Sequence, residues 1–297
     1  MISKLTSEFR FFLSMPHNMR VLLITNMLYA LVLPVVEIFM AAYIMRYFAD
    51  TSYVAIFQVA MYTGIIITSL TNGFLLKSFK VAHLYSFGIL LSGLSMVGMM
   101  FVKDITLIGL VVSGTLIGAA SGFFWTNRYL MTLNTTRDEN RNYFFGLESF
   151  FFTIANITIP LAIGALLASI DGKQIFGVVF DIYQGYRVVT LIVFALTILA
   201  CFSLARGKFV NPVQKDFLYF RFDRLWNKQI LLAVLKGLVQ GFLVTAPAML
   251  IMKYVGKEGS LGLIQSISGG LTAILIYVLG RFAKPKHRIL IDRKSVV

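Results

Sequence analysis

Between Thr115 and Ala168 two apolar runs, TLIGAASGFFWTNRYLMTL and YFFGLESFFFTIANITIPLAIGALLA, flank a short polar stretch, Asn134 to Asn142, that carries Arg137, Asp138, Glu139 and Arg141. A helix that crosses the hydrocarbon core of a bilayer needs roughly 20 apolar residues. Both runs, the first extended by the apolar residues before Thr115, reach that length. The stretch therefore reads as two spanning helices joined by a charged connector.

The same pattern recurs along the chain. Apolar runs lie near 21–46, 53–76, 82–102, 105–131, 143–169, 186–206, 229–253 and 259–282, which predicts an all-α membrane protein, a polytopic helical bundle. With 58% hydrophobic and 13% charged residues, the chain is too apolar for a soluble globular domain. A net charge of +14 would suggest nucleic acid in a soluble protein. Here about 20 of the 27 Lys and Arg fall in the N-terminal tail and the connectors after even-numbered spans. That is the loop bias of a multi-pass protein with a cytoplasmic N-terminus, so the expected partner is the lipid bilayer and not nucleic acid. The first residues hold Lys4, Arg10 and Arg20 and lack a compact apolar core followed by a small-residue cleavage site. They read as a cytoplasmic tail. Cys201 has no second cysteine with which to form an intrachain disulfide.

Several residues carry chemistry. Asn26, Ala30, Leu33 and Glu37 follow one another at steps of four, three and four, which places them on one face of the first span. Pro34 removes a backbone donor beside that face and predicts a kink. A carboxylate at this depth faces a bundle interior or a wet cavity. Glu37 then reads either as a substrate or proton site, or as a neutral acid hydrogen-bonded to a neighbouring helix. Arg128 in the fourth span and Glu148 in the fifth lie at comparable depth, which predicts a structural ion pair that lowers the cost of both charges. Lys236 and Gln240 share a face of the seventh span at i and i+4; Lys236 either snorkels to the inner surface or faces a central cavity. Gly114, Gly118 and Gly122 form a small-residue stripe that predicts close helix packing.

The residues around the connector also carry a resemblance. Gly114, Gly118 and Gly122, then Leu133, Thr135, Asp138, Glu139 and Arg141, then Phe145 and Gly146, with Pro160 and Gly164 beyond, resemble helices four and five of a major facilitator superfamily transporter. After the second span, Gly73 and Lys80 match the superfamily's glycine-rich gating loop, with Lys77 where its acid is expected. Gly280 and Lys284 echo that loop after the eighth span. Such transporters are built from two parallel six-span halves. The resemblance thus implies an N-terminal six-helix half over 1–206, a cytoplasmic linker over 207–227 and a partial C-terminal half of two helices over 228–297. On that basis the chain is expected to be a fragment of a longer transporter. The resemblance further implies that spans one, four and seven line a central cavity, making Asn26, Glu37, Trp125, Asn127, Lys236 and Gln240 the expected substrate-binding or coupling residues.

His17, His83 and His287 are scattered through tails and connectors, and neither a His-Glu-x-x-His motif nor a phosphate-binding loop is present. No metal, cofactor or ATP-driven step is expected. The resemblance implies a secondary transporter, not an enzyme, that moves a small-molecule substrate by gradient-driven alternating access in the plasma or inner membrane, with a proton or another ion as the coupling partner. One alternative is a polytopic enzyme acting on lipid-borne substrates, for which the connectors offer mainly isolated carboxylates such as Asp138 and Glu139. The other is a non-transporting membrane receptor or scaffold.

Overall fold

The computed structural model describes residues 10–101, 104–175, 178–211 and 223–282. Within them the chain is a bundle of long helices, with an antiparallel hairpin of two-residue strands, β1 (Gln174–Ile175) and β2 (Val178–Val179), in one connector. Six helical stretches among the described residues are long and apolar enough to cross a membrane: His17–Phe48, Thr51–Leu75, Val81–Phe101, Leu107–Thr135, Asp138–Ile170 and Ile182–Ala205. Two further helices occupy the places of the seventh and eighth apolar runs. Ile66, Leu70, Ile108 and Phe202 stand more than half exposed on outward faces, as they would against lipid in a multi-pass membrane protein.

The first stretch is not one regular helix. α1 (His17–Ala30) stops four residues before Pro34, at the residue whose carbonyl the proline ring would strike. The chain then passes through a π-helical turn, Val35–Phe39, before resuming as α2 (Met40–Phe48). A π turn takes an extra residue per turn, so the side chains beyond it are rotated relative to a continuous α-helix. Asn26 and Glu37, placed on one face by regular spacing, have different surroundings. Asn26 is fully buried between helices, and Glu37 is solvent-exposed.

After α2, Ala49 takes a left-handed conformation with φ 54° and Asp50 caps α3 (Thr51–Leu75) by accepting the Ser52 N–H at 2.9 Å. The next helices are α4 (Val81–Phe101) and α5 (Leu107–Thr135). α6 (Asp138–Ile170) begins within the stretch read above as a connector from Asn134 to Asn142. Only Thr136 and Arg137 remain between α5 and α6. Local chemistry favours this early start: Asp138 and Glu139 lie at the positive end of the helix dipole, and the Arg137 N–H donates to Asn140 Oδ1 at 2.8 Å. α7 (Ile182–Ala205), α8 (Arg224–Tyr254) and α9 (Glu258–Phe282) complete the described fold.

Small residues set the packing. A Cβ on Gly114 would stand 2.8 Å from the Phe57 carbonyl oxygen, and one on Gly118 would collide with the Met61 backbone, so the α5 glycine stripe is where α3 lies flush against α5. α6 meets α9 in the same way, since Gly262 lies against the Pro160 carbonyl and against Gly164. Between α1, α4 and α5 the core is aromatic: Tyr29 and Phe124 have ring centroids 4.3 Å apart, and Tyr85 stacks on Phe124 at 5.3 Å.

Candidate functional site

Glu37 sits in the π turn and opens into a cavity of about 390 Å³ bounded by the first span, α6, α8 and α9. α6 contributes Thr153 and Asn156, and α8 contributes Leu243. α9 contributes Gln265, Ser268 and Thr272, spaced at i, i+3 and i+7 so that they form one polar stripe. Two of the hydroxyls are used locally: Thr153 donates to the Ser149 carbonyl at 2.8 Å and Thr272 to the Ser268 carbonyl at 2.8 Å. The lining is thus a carboxylate, two amides and several hydroxyls set among apolar surface. Such a site can bind a small amphiphilic solute by hydrogen bonds while offering a single acidic group for proton or cation exchange.

A second polar group lies deeper in the protein and is closed to solvent. Glu148 is fully buried and accepts Arg128 Nε at 3.0 Å and an Arg128 terminal nitrogen at 2.5 Å. Asn26 Nδ2 donates to the same carboxylate at 2.5 Å, and the Tyr85 hydroxyl donates to Asn26 Oδ1 at 2.5 Å. Three aromatic rings surround the guanidinium, with Trp125, Tyr129 and Phe152 centroids 5.0, 5.1 and 5.5 Å from Arg128 Cζ. α1, α4, α5 and α6 are joined by this network. Its charge-assisted, two-pronged geometry satisfies both ions where the carboxylate is shut off from water and the guanidinium nearly so.

A third cluster lies at the opposite end of the bundle. Arg46, in the last turn of α2, donates to both oxygens of Glu258 at 3.0 and 2.6 Å and to the Gly256 carbonyl at 3.0 Å. Tyr186 of α7 adds a hydroxyl contact to Glu258 at 3.4 Å. Glu258 is 3% exposed and lies in the first turn of α9, where the helix dipole also favours its charge.

The residues expected from sequence to form one site are therefore distributed. Of Asn26, Glu37, Trp125, Asn127, Lys236 and Gln240, Glu37 lines the cavity. Asn26 belongs to the Glu148 network, and Trp125 packs on Arg128. Asn127 makes a reciprocal amide pair with Asn72, at 3.1 and 2.8 Å. Lys236 is exposed on α8, and the side chain of Gln240 lies outside the described residues. Gly73 falls in the last turns of α3, Lys77 in the following turn with its amine 5.7 Å from the Phe74 ring centroid, and Lys80 is exposed before α4. Gly280 is helical in α9, and Lys284 lies outside the described residues. Of the linker, 207–211 and 223–227 are described; the Asn211 side chain accepts the Val81 N–H at 2.9 Å, holding this segment against the start of α4.

Arg46, Glu258 and the α9 stripe were not anticipated. The stripe had a signal in sequence, because Gln265, Ser268 and Thr272 share a helical face in an otherwise apolar run. Arg46 and Glu258 had none, since each sits at a helix end where charge is ordinary.

The family model described as Major Facilitator Superfamily matches residues 22–292. The uncharacterized protein YqgE of Bacillus subtilis (strain 168) is 21% identical over 274 residues, which is 91% of this chain and 61% of that protein. The uncharacterized protein in the sodM 3'region of Geobacillus stearothermophilus is 25% identical over 152 residues, covering 51% of this chain and 71% of that protein. Among solved structures, the peptide transporter POT in complex with sulfate aligns with a TM-score of 0.47 at 16% identity, over 89% of this chain and 52% of that one. A mutant of peptide transporter POT aligns with a TM-score of 0.46 at 15% identity, over 90% of this chain and 53% of that one. The chain thus spans 61% of the first relative and about half of these solved structures.

Proposed function

Because this chain belongs to the major facilitator superfamily, we propose that it carries out the substrate-binding part of a gradient-driven, alternating-access transport cycle for a small solute, with Glu37 as the coupling carboxylate. The observation that carries this reading is the exposure of Glu37 to the 390 Å³ cavity between the first span and α6, α8 and α9. A carboxylate at membrane depth is costly unless paired or wetted, and its position at a solute-sized cavity gives that cost a use. The reading divides the chain into a six-helix half over 1–206, a cytoplasmic linker over 207–227 and the start of a second half over 228–297, with the N-terminus in the cytoplasm. The asymmetry of Lys and Arg between connectors supports that orientation. Asn156, Gln265 and Ser268 are the hydrogen-bonding groups available to the solute. The reading assigns transport rather than bond-making chemistry to the cavity.

Membrane vesicles that contain the full-length protein and hold an acid-inside pH gradient, followed with a quenched acridine dye, test this. Adding a transported solute from a chemically varied panel dissipates the gradient in wild type and restores fluorescence. Glu37→Gln at equal abundance gives no restoration. A response that persists in the variant, or a wild type silent to the whole panel, removes proton coupling at Glu37.

A further inference from the structure

The charges lodged between the helices are unevenly matched. Among the described residues, Glu148 is held by Arg128 and Glu258 by Arg46. Glu37 forms no ion pair among the described residues and instead faces the cavity. The described lining residues contributed by α6, α8 and α9 carry no charge, and two tyrosines, Tyr29 on its own span and Tyr62 on α3, lie within electrostatic reach of Glu37. Among the described residues, the cavity lining therefore carries a net negative charge whenever Glu37 is ionised, and Lys236 of α8 is not part of that lining. Water in the cavity can solvate such a charge, but a solute that displaces that water must itself supply the positive charge or leave the carboxyl to take up a proton.

We infer that the cavity takes an organic monocation, with its positive group on the Glu37 carboxylate and its apolar body along Ile38, Leu243 and Ala273. The inference rests on the transporter reading above and adds the chemical class of the solute. Shape and chemistry agree with it. The carboxylate stands at the first-span side of the cavity, the amides of Asn156 and Gln265 can accept from an ammonium's remaining protons, and Ile38, Leu243 and Ala273 interrupt the polar lining. An anion would meet an uncompensated carboxylate, and a neutral solute would leave it unpaired. Proton and solute then compete for one group. When the carboxyl is protonated, arrival of the cation sends that proton to solvent and leaves a carboxylate–ammonium pair; departure of the cation allows reprotonation. Atoms and charge balance without a further reactant.

Charge-matched probes test the class. Benzylammonium, benzyl alcohol and benzoate share a skeleton and carry charges of about +1, 0 and −1 at neutral pH. The same three head groups on cyclohexylmethyl and butyl skeletons vary the apolar body. Thermal stabilisation of the purified full-length protein by each compound reads binding. The expected result is that at least one ammonium stabilises the protein, by more at pH 8 than at pH 5.5, and that its alcohol and carboxylate counterparts bind at least tenfold more weakly. Glu37→Gln abolishes the preference and Glu37→Asp retains its sign. The ranking of the three head groups on wild type needs no variant, so a misfolded variant leaves the test intact. Equal binding of the alcohol or the carboxylate overturns the inference, as does failure of all three ammonium compounds. If the vesicles respond in a Glu37-dependent way to a neutral or anionic solute, the transport reading stands and the class assigned here falls.

Discussion

Arg128 with Glu148 and Arg46 with Glu258 use the same two functional groups at opposite ends of the bundle, each joined by two hydrogen bonds. They differ in what they connect. The first pair bridges consecutive helices, 20 residues apart, and is enclosed by Asn26, Tyr85 and three aromatic rings, with side chains 10% and 1% exposed. The second bridges the end of the first span and the start of α9, 212 residues apart, and its arginine side chain is 33% exposed. The partners of the first pair all lie on α1, α4, α5 and α6. The other exists only while the start of α9 stays beside the end of the first span, and α9 itself is packed on α6 through glycine contacts. Identical chemistry can thus fix a unit internally or record the position of one segment against another.

The contrast sets an order of effects. Arg128→Leu leaves Glu148 charged and buried, and should destabilise the protein by about 3–5 kcal/mol in detergent unfolding. Adding Glu148→Leu should recover much of that loss, because two apolar residues replace the pair without an orphaned charge. Gly262→Val drives a side chain into the Pro160 backbone and should cost about 1–3 kcal/mol. The loss should fall on the α9 contacts, so that hydrogen exchange rises around Glu258 and stays unchanged around Glu148. Arg46→Ala leaves the buried Glu258 without its arginine but still with the Tyr186 hydroxyl and the α9 dipole. Water reaches this partly exposed end, so the change should cost less than Arg128→Leu, about 1–2 kcal/mol. If Arg46→Ala matched Arg128→Leu, the distinction between the two pairs would fail.

The smallest effect lies beside the second pair. The Ser52 N–H donated to Asp50 holds that carboxyl below its usual range, with nearby Lys253 adding to the shift. A carboxyl whose folded pKa is depressed stabilises the fold above its unfolded value of about 3.9. That contribution is lost as pH falls through the lower folded value. Asp50→Ala should therefore increase amide exchange in the first turn of α3 at neutral pH, with the difference from wild type shrinking as the solution is acidified.

Much of the helical layout was legible from hydropathy alone, because a run near the thickness of a bilayer has few other solutions. The proximity of Arg128 and Glu148 was readable for a related reason: their helices are consecutive, so depth along each run fixes which residues meet. The partnership of Arg46 and Glu258 was not, since the 212 intervening residues leave the distance between their helices undetermined by local pattern. Regular helical spacing also misplaced Asn26. Pro34 announced an irregularity, but a π turn cannot be read from a proline, and Asn26 joins the Glu148 network while Glu37 lines the cavity. The polar stripe of α9 was visible in sequence, and only the position of α9 against α6 turns it into a wall of the same cavity as Glu37.

Everything proposed for the cavity depends on water reaching Glu37 through the protein. The direct measurement is modification of Glu37→Cys by a charged methanethiosulfonate in membranes, in a Cys201→Ser background that removes the half-buried native thiol. The account predicts rapid modification, slowed by an ammonium that stabilises the wild-type protein. A cysteine that stays unmodified in the native membrane, yet reacts fully once the protein is denatured, would place Glu37 in a dry contact and contradict the account.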